Sequence, residues 1–352
     1  MIIPKSYIEW IRYSINPESG IPSGVPEGGW EGLFSFVCQQ GIAGIVFNGV
    51  TRAEASLPKD VLFKWFSLSE RIKKQNYLLN QRTAEMSSFF SKHGYKSIIL
   101  KGQANATMYP DALIRTPGDI DIWVDAKMSD IINFVRKIYP SSHYSLHHIK
   151  FPYYKDTSVE VHYRPIYLKN WWADKRFQLY VDKNKKRFFE NKIAVGDSTV
   201  SALTTNFNFV YQILHMYAHL FTTRNNFKQY IDYYYLLKQM HTETDYVQTN
   251  ALFKSLHVGK FAAGVVWILH HELGLDEQYL ITPTNEKVGR MLLKETMRYK
   301  SFSKNKLLSI AEQFIGNIRM IRFFPGQIIL SPVFLPWHQW WKYKTKKQLM
   351  EI

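Results

Sequence analysis

The chain of 352 residues contains one cysteine, Cys38, so no disulfide can form within it. That scarcity fits a reducing compartment, and a cytoplasmic location is expected. Nothing near Cys38 in sequence would lower a thiol pKa, so it is expected in the core. No apolar run approaches the roughly 18 residues that a membrane span requires. The longest, such as FAAGVVWIL at 261–269, have the length of a core helix. The opening MIIPKSYIEWIRYS lacks the charged-then-apolar pattern of a secretory signal, and an intracellular, soluble protein is expected. There is no Gly/Ser-rich or Pro-rich linker and no internal repeat, so the parts of the chain are expected to pack on one another. Acids are also scarce. Against 45 Lys and Arg stand 29 Asp and Glu, a formal charge of +16, which favours polyanionic partners: nucleotide, nucleic acid or anionic membrane.

Hydrophobic residues make up 46% of the chain, enough for a packed core. Residues 1–95 have helical patterning. GWEGLFSFVCQQGIAGIVFNGV is expected to form one apolar helix and its exit. A long helix is expected from Pro58, well placed at a helix start, with Gly94 as its stop. The texture changes at Ser97, where SIIL is short enough for a buried strand. QANATMY then suits a short helix, GDIDIWVD a second strand, and MSDIINFVRKIY a helix capped by Ser129 or Asp130. YSLHHIKFPYYKDTSVEVHYRP follows as two strands around a Lys-Asp turn. From about residue 200 the apolar spacing is helical again. The expected fold is therefore α+β. A small mixed-sheet core at 96–200 is flanked by helical regions at 1–95 and 201–352.

The stretch GDIDIWVD sets acids against the needs of a buried strand. Alternate strand residues face opposite ways, so Ile120, Ile122 and Val124 share one face while Asp119 and Asp121 share the other. Their Cα atoms are about 7 Å apart along an ideal strand. Two carboxylates so close repel unless solvent or a cation separates them. Mg²⁺ is a suitable cation, because it takes one or two protein carboxylates together with substrate phosphates. SVEVHYRP repeats the pattern, with Val159 and Val161 on one face and Glu160 and His162 on the other. Were the two strands neighbours, Asp119, Asp121 and Glu160 would hold two metal ions, the arrangement that steadies both attacking and leaving oxygens in nucleotidyl transfer. Lys101 and Gly102 end one strand and open a helix, where backbone amides can receive phosphate. Arg115 stands four residues before Asp119 as a phosphate clamp, and Pro117-Gly118 forces a turn between them.

The run SIILKGQANATMYPDALIRTPGDIDIWVD resembles the signature of the uncharacterised nucleotidyltransferase family, within the DNA polymerase beta-like nucleotidyltransferase superfamily. HMYAHL (215–220) and KQYIDYYYLL (228–237) look like its downstream helical elements. The resemblance implies that Asp119 and Asp121 bind the metals. It implies that Glu160 is the third carboxylate, helping to activate an acceptor hydroxyl, and that Gly102 occupies the phosphate-facing turn. It departs from the broader superfamily in having Gly102-Gln103 where Gly-Gly or Gly-Ser is usual, and in a longer gap to Asp119. Lys101 is expected to compensate with charge.

The expected activity is transfer of a nucleoside monophosphate from a nucleoside triphosphate, ATP foremost, with pyrophosphate leaving. Two Mg²⁺ ions, or Mn²⁺ in their place, would assist. The nucleotide set is Lys101, Gly102, Gln103, Arg115, Gly118 and His162, the last expected to hydrogen-bond behind the carboxylates rather than act as base. The acceptor stays open between small molecule, protein and RNA. A non-catalytic nucleotide- or RNA-binding protein on the same fold is the alternative, and a regulatory transferase acting on a protein is a third. His215 and His219, four apart on one helix face, lack a nearby third zinc ligand and are expected as polar lining of the core, or else as an active-site rim. His147 and His148 are expected on opposite strand faces, so that at most one meets the acids. The basic, aromatic WHQWWKYKTKK at 337–347 is expected as a solvated face with its rings turned inward; nucleic-acid stacking and a membrane interface are the alternatives.

Overall fold

Residues 3–239, 243–298 and 306–350 are described by a computed structural model. The fold is α+β, and among the described residues no helix is long and apolar enough to cross a membrane. The N-terminal helices are α1 (Lys5–Ile15), α2 (Gly29–Gln39), α3 (Ala43–Arg52) and α4 (Lys59–Lys92). Pro58 caps α4, and Gly94, at φ +81°, follows its end, as the sequence indicates. The apolar run at 29–50 makes two helices instead of one. Gly41, at φ +66°, turns the chain between them in a conformation that side chains rarely adopt. Cys38 lies on the outer side of α2 and is exposed, not in the core.

The central segment runs β1 (Ser97–Ile99), α5 (Gln103–Ala106), β2 (Ile120–Val124), α6 (Met128–Ile138), β3 (His148–Lys150) and β4 (Val159–His162). These strands form one mixed sheet in the order β1-β2-β4-β3. β2 and β4 are parallel, with the antiparallel β1 and β3 at the edges. Lys127 stands at the N-cap of α6, and neither Ser129 nor Asp130 supplies a capping side chain. Helix α7 (Trp171–Glu190) leads into a hairpin, β5 (Lys192–Val195) and β6 (Ser198–Ser201), for which no strand was expected. Its two-residue Gly196-Asp197 turn is a hairpin signal that the sequence does contain.

The C-terminal helices are α8 (Thr205–Leu220), α9 (Phe227–Leu237), α10 (Glu243–Ser255), α11 (Gly259–Trp267), α12 (Glu286–Thr296), α13 (Lys306–Ile318) and α14 (Pro325–Met350). One face of the sheet offers Ile120, Ile122, Val124, Val159 and Val161 to Met86 and Phe90 of α4 and to Ile131, Ile132 and Val135 of α6. The opposite side joins a larger core that runs from α1 and α3 through Trp123 to α8, α9 and α11. Helices α8 and α9 thereby cover the side of the sheet that bears the acids. On α14, Trp337 stacks on Tyr167 at 5.8 Å and Trp341 meets Tyr144 edge-on at 6.1 Å. Trp340 and Tyr343 of the same helix remain exposed, so the expected inward turn holds for two of these four rings.

Candidate functional site

The parallel pairing of β2 and β4 sets Asp121 opposite Glu160 and Trp123 opposite His162. Register partners share a sheet face, so Asp121, Glu160 and His162 project together while the isoleucines and valines turn to α4 and α6. One ligand atom from each of the three lies within 4.8 Å of the other two.

Asp121 is only 1% exposed. A carboxylate that deep needs hydrogen-bonding or charged partners. It has two: Lys101 Nζ at 3.2 Å from Oδ2, and His162 Nε2 at 3.0 Å from Oδ1. Burial pushes the Asp121 carboxyl upward, but Lys101 and His162 together outweigh it and hold the group well below the usual range. Burial likewise pulls the Lys101 ammonium down, and Asp121, Asp119 and Glu160 reverse that and raise it. Glu160 goes the other way, raised by its burial and by the charge of Asp121. Two acids on one face thus titrate apart, the pattern that separates a permanent anion from a proton acceptor.

Lys101 reaches this position because Gly102 breaks the strand behind it. Gly102 adopts φ +65° and ψ −113°, and a Cβ there would come 3.2 Å from the Asp119 carbonyl oxygen. The turn and the first acid are therefore in close backbone contact. Gln103 is buried, and its amide donates to Asn80 of α4, away from the acids. The Arg115 guanidinium is held in a bidentate pair with Asp232 of α9, at 2.7 and 2.8 Å, rather than extended as a free clamp. Asp232 also accepts from Tyr109 at 2.6 Å and Asn105 at 3.4 Å. Asn76 of α4 donates to the Leu113 and Arg115 carbonyls, fixing the loop before β2.

Between these groups and helices α8 and α9 lies a cleft of about 430 Å³. Lys101, Gly102, Arg115, Gly118 and Asp119 line it from the core, and Tyr211, His215, His219 and Lys228 from the helices. His215 and His219 therefore belong to the rim of the cleft. Lys101 Nζ is 3.0 Å from His215 Nε2, and the two imidazoles are 3.1 Å apart. Lys228, 3.9 Å from where a Cβ on Gly118 would sit, makes no ion pair among the described residues. Burial and the nearby Arg115 lower its ammonium to about 8. A sign of it was legible: Lys228 precedes Asp232 by four residues and so shares its helix face.

His147 and His148 depart from expectation. His147 stands one residue before β3, where the pleat no longer dictates direction, and its ring lies 4.6 Å from that of His148 and 5.4 Å from that of His162. Both histidines reach the acid-bearing side.

The donor set suits a divalent cation. Asp121 Oδ2 and His162 Nδ1 are buried and accept or donate no hydrogen bond, although the Lys101 ammonium is near the first. Carboxylate oxygens are the ligand type that Mg²⁺ and Mn²⁺ sites use. Asp119 lies outside the 4.8 Å set and borders the cleft instead.

A family model described as an uncharacterised nucleotidyltransferase matches residues 26–274. The chain belongs to that family. The matched span runs from just before α2 to the end of α11 and its following turn, so it includes the whole sheet and the helices that close the cleft. Among solved structures, the chain is similar to an antigenic nucleotidyltransferase-like protein from Paracoccidioides brasiliensis. The identity is 13% and the TM-score 0.36, over 63% of this chain and 98% of that one, a likeness too slight to bear on chemistry. No curated protein matches the sequence.

Proposed function

We propose that this member of the nucleotidyltransferase family is a metal-dependent enzyme that transfers a nucleoside monophosphate from a nucleoside triphosphate, with ATP as donor, to an acceptor hydroxyl. The observation that supports this most directly is the in-register pair Asp121 and Glu160, on adjacent parallel strands beside a cationic cleft. Asp119, Asp121 and Glu160 would hold the divalent ions, with His162 Nε2 steadying Asp121 from behind. When bound, such ions neutralise charge on the phosphate oxygens and so favour in-line displacement.

The chain's own residues supply binding and proton handling. The triphosphate lies in the cleft, where Lys101 and Lys228 meet its negative charge and the turn at Gly102 lets the backbone approach closely. Arg115, already neutralised by Asp232, keeps the wall of the cleft rigid. Glu160, with its carboxyl raised, takes the acceptor proton as the acceptor oxygen bonds to the α-phosphorus. The α–β phosphoanhydride bond breaks, and pyrophosphate leaves with the bonding pair. Most of the catalytic contribution is positioning and charge stabilisation, as in other phosphoryl transfers.

The test uses the full chain with α-labelled nucleotides, Mg²⁺ or Mn²⁺, and separate acceptor pools of small metabolites, protein and RNA. Label should move to one pool with release of pyrophosphate, and Asp121→Asn or Glu160→Gln should abolish it while circular dichroism stays unchanged. Full transfer by either variant would defeat the assignment. Metal-independent nucleotide binding without transfer to any pool would favour a binding protein.

A further inference from the structure

We propose that His147, His148 and His162 form a second metal site, built on imidazole nitrogens and suited to a zinc-class divalent ion, beside the carboxylate pair. One ring nitrogen from each of the three lies within 4.8 Å of the others. Ligand nitrogens about 2.0–2.1 Å from zinc stand roughly 3.4 Å apart in a tetrahedron, so each ring needs to shift by under about 1 Å.

The strand register explains the cluster. His148 and His162 are direct cross-strand partners of β3 and β4, and His147 folds its ring onto the same side from just outside the strand. His162 is 3% exposed, and its Nδ1 is buried with no hydrogen-bond partner. A buried ring nitrogen without a partner is costly to keep, and a metal ion is one of the few groups that satisfies it.

The surroundings match what ligating imidazoles require. A metal-bound histidine commonly donates its other ring nitrogen to a carboxylate, which fixes the tautomer and the ring orientation. His162 has Asp121 at 3.0 Å from Nε2, which leaves Nδ1 for the ion. His148 has Glu160 at 3.5 Å and the Ser145 hydroxyl at 3.3 Å from Nδ1, which leaves Nε2. Two of the three rings are therefore already backed by acids. His147 also borders a cavity of about 240 Å³ between the β3 region and α8 and α14. Imidazole donors favour zinc and its neighbours over Mg²⁺, so the two donor sets select different ions, and His162 joins them by backing Asp121 through Nε2.

The experiment titrates chelator-treated full-length protein with Co²⁺ and records the visible spectrum. The expected result is one equivalent bound with the strong absorption of a four- or five-coordinate ion, displaced by Zn²⁺ but not by a large excess of Mg²⁺. His147→Gln and His148→Gln should each weaken Co²⁺ affinity at least tenfold, whereas Cys38→Ser should leave it unchanged. Asp119→Asn should abolish nucleotidyl transfer yet keep the Co²⁺ spectrum, which separates this site from the proposed activity. In the unaltered chain, Zn²⁺ should raise the melting temperature in a concentration-dependent way, a readout that needs no variant. A weak six-coordinate spectrum, wild-type affinity in both histidine variants, or no thermal response to Zn²⁺ would overturn the proposal.

Discussion

Lys101 Nζ lies 3.2 Å from Asp121 Oδ2 and 3.0 Å from His215 Nε2, so a single ammonium ties the buried strand acid to helix α8. Removing it leaves Asp121 with His162 as its remaining close partner among the described residues. An uncompensated buried charge is costly. Because Lys101 keeps about a fifth of its side chain exposed (22%), the loss in Lys101→Met should fall near 1–3 kcal/mol. Adding Asp121→Asn should recover part of it, since the charge that needed neutralising is gone. Urea denaturation of the two single variants and the double variant checks this. Strict additivity would show that the pair is not coupled. Mn²⁺ should stabilise Lys101→Met more than the parent chain, because the ion then meets no competing cation.

The Arg115–Asp232 pair joins the loop before β2 to α9 across 117 positions. Both side chains are almost wholly buried, and Asp232 also holds Tyr109 and Asn105. Asp232→Ala should therefore cost ~3–5 kcal/mol, since it strands a buried guanidinium. Arg115→Met with Asp232→Leu should restore much of the stability, because well-packed apolar groups replace buried ion pairs at little cost. Chemical denaturation measures both. A loss under 1 kcal/mol in Asp232→Ala would show that water reaches the guanidinium. If Arg115 acts on nucleotide only through the shape of the cleft, the restored double variant should also keep most of the parent's nucleotide affinity.

Gly102 gives a separate test of how turn and acid are joined. Its φ of +65° with ψ −113° belongs to a region in which side chains are strained, and a Cβ would press to 3.2 Å on the Asp119 carbonyl. Gly102→Ala should lose ~1–3 kcal/mol of stability. It should also lower kcat/KM for nucleotide transfer more than the stability loss explains, by displacing Asp119. Assays well below the melting temperature separate the two effects. Unchanged kcat/KM in a folded variant would show that the backbone approach is not used.

Much of the site was legible because a strand has a period of two. GDIDIWVD and SVEVHYRP fix the face of Asp121, Glu160 and His162 by parity alone, and the parallel pairing of β2 with β4 follows that pattern. Parity fails one residue outside a strand, which is why His147 turned up beside His162. It also says nothing about partners distant in sequence. The capture of Arg115 by Asp232 depends on how α9 packs, and Gln103 turns to Asn80 because α4 runs behind α5. In the N-terminal region the apolar spacing was visible, but one glycine at positive φ, Gly41, split the expected helix. The cleft was the least legible part, since its far wall comes from His215, His219 and Lys228, more than a hundred residues beyond Lys101.

The histidines around the site bear on the stability of the chain toward acid. Burial, helped by His162, holds His148 at about 3, and burial, helped by Lys101, holds His219 at about 4. His147 and His215 are also well below the ordinary value, through burial and then His162 for the first and Lys101 for the second. An unfolded histidine takes its proton near pH 6.5. Between that value and the folded one, the unfolded chain binds more protons, so stability rises with pH and falls on acidification. The contribution is complete above about pH 6.5 and shrinks as pH drops toward 4, by up to ~1.4 kcal/mol per pH unit for each fully shifted group. Urea denaturation at pH 7.5, 6.5, 5.5 and 5.0 should show a loss of at least ~2 kcal/mol over that interval. His215→Gln should flatten the slope, because it removes one proton from the difference. A stability that stays level from pH 7.5 to 5.0 would mean that these imidazoles are protonated in the folded chain, with water or anions in the cleft compensating them.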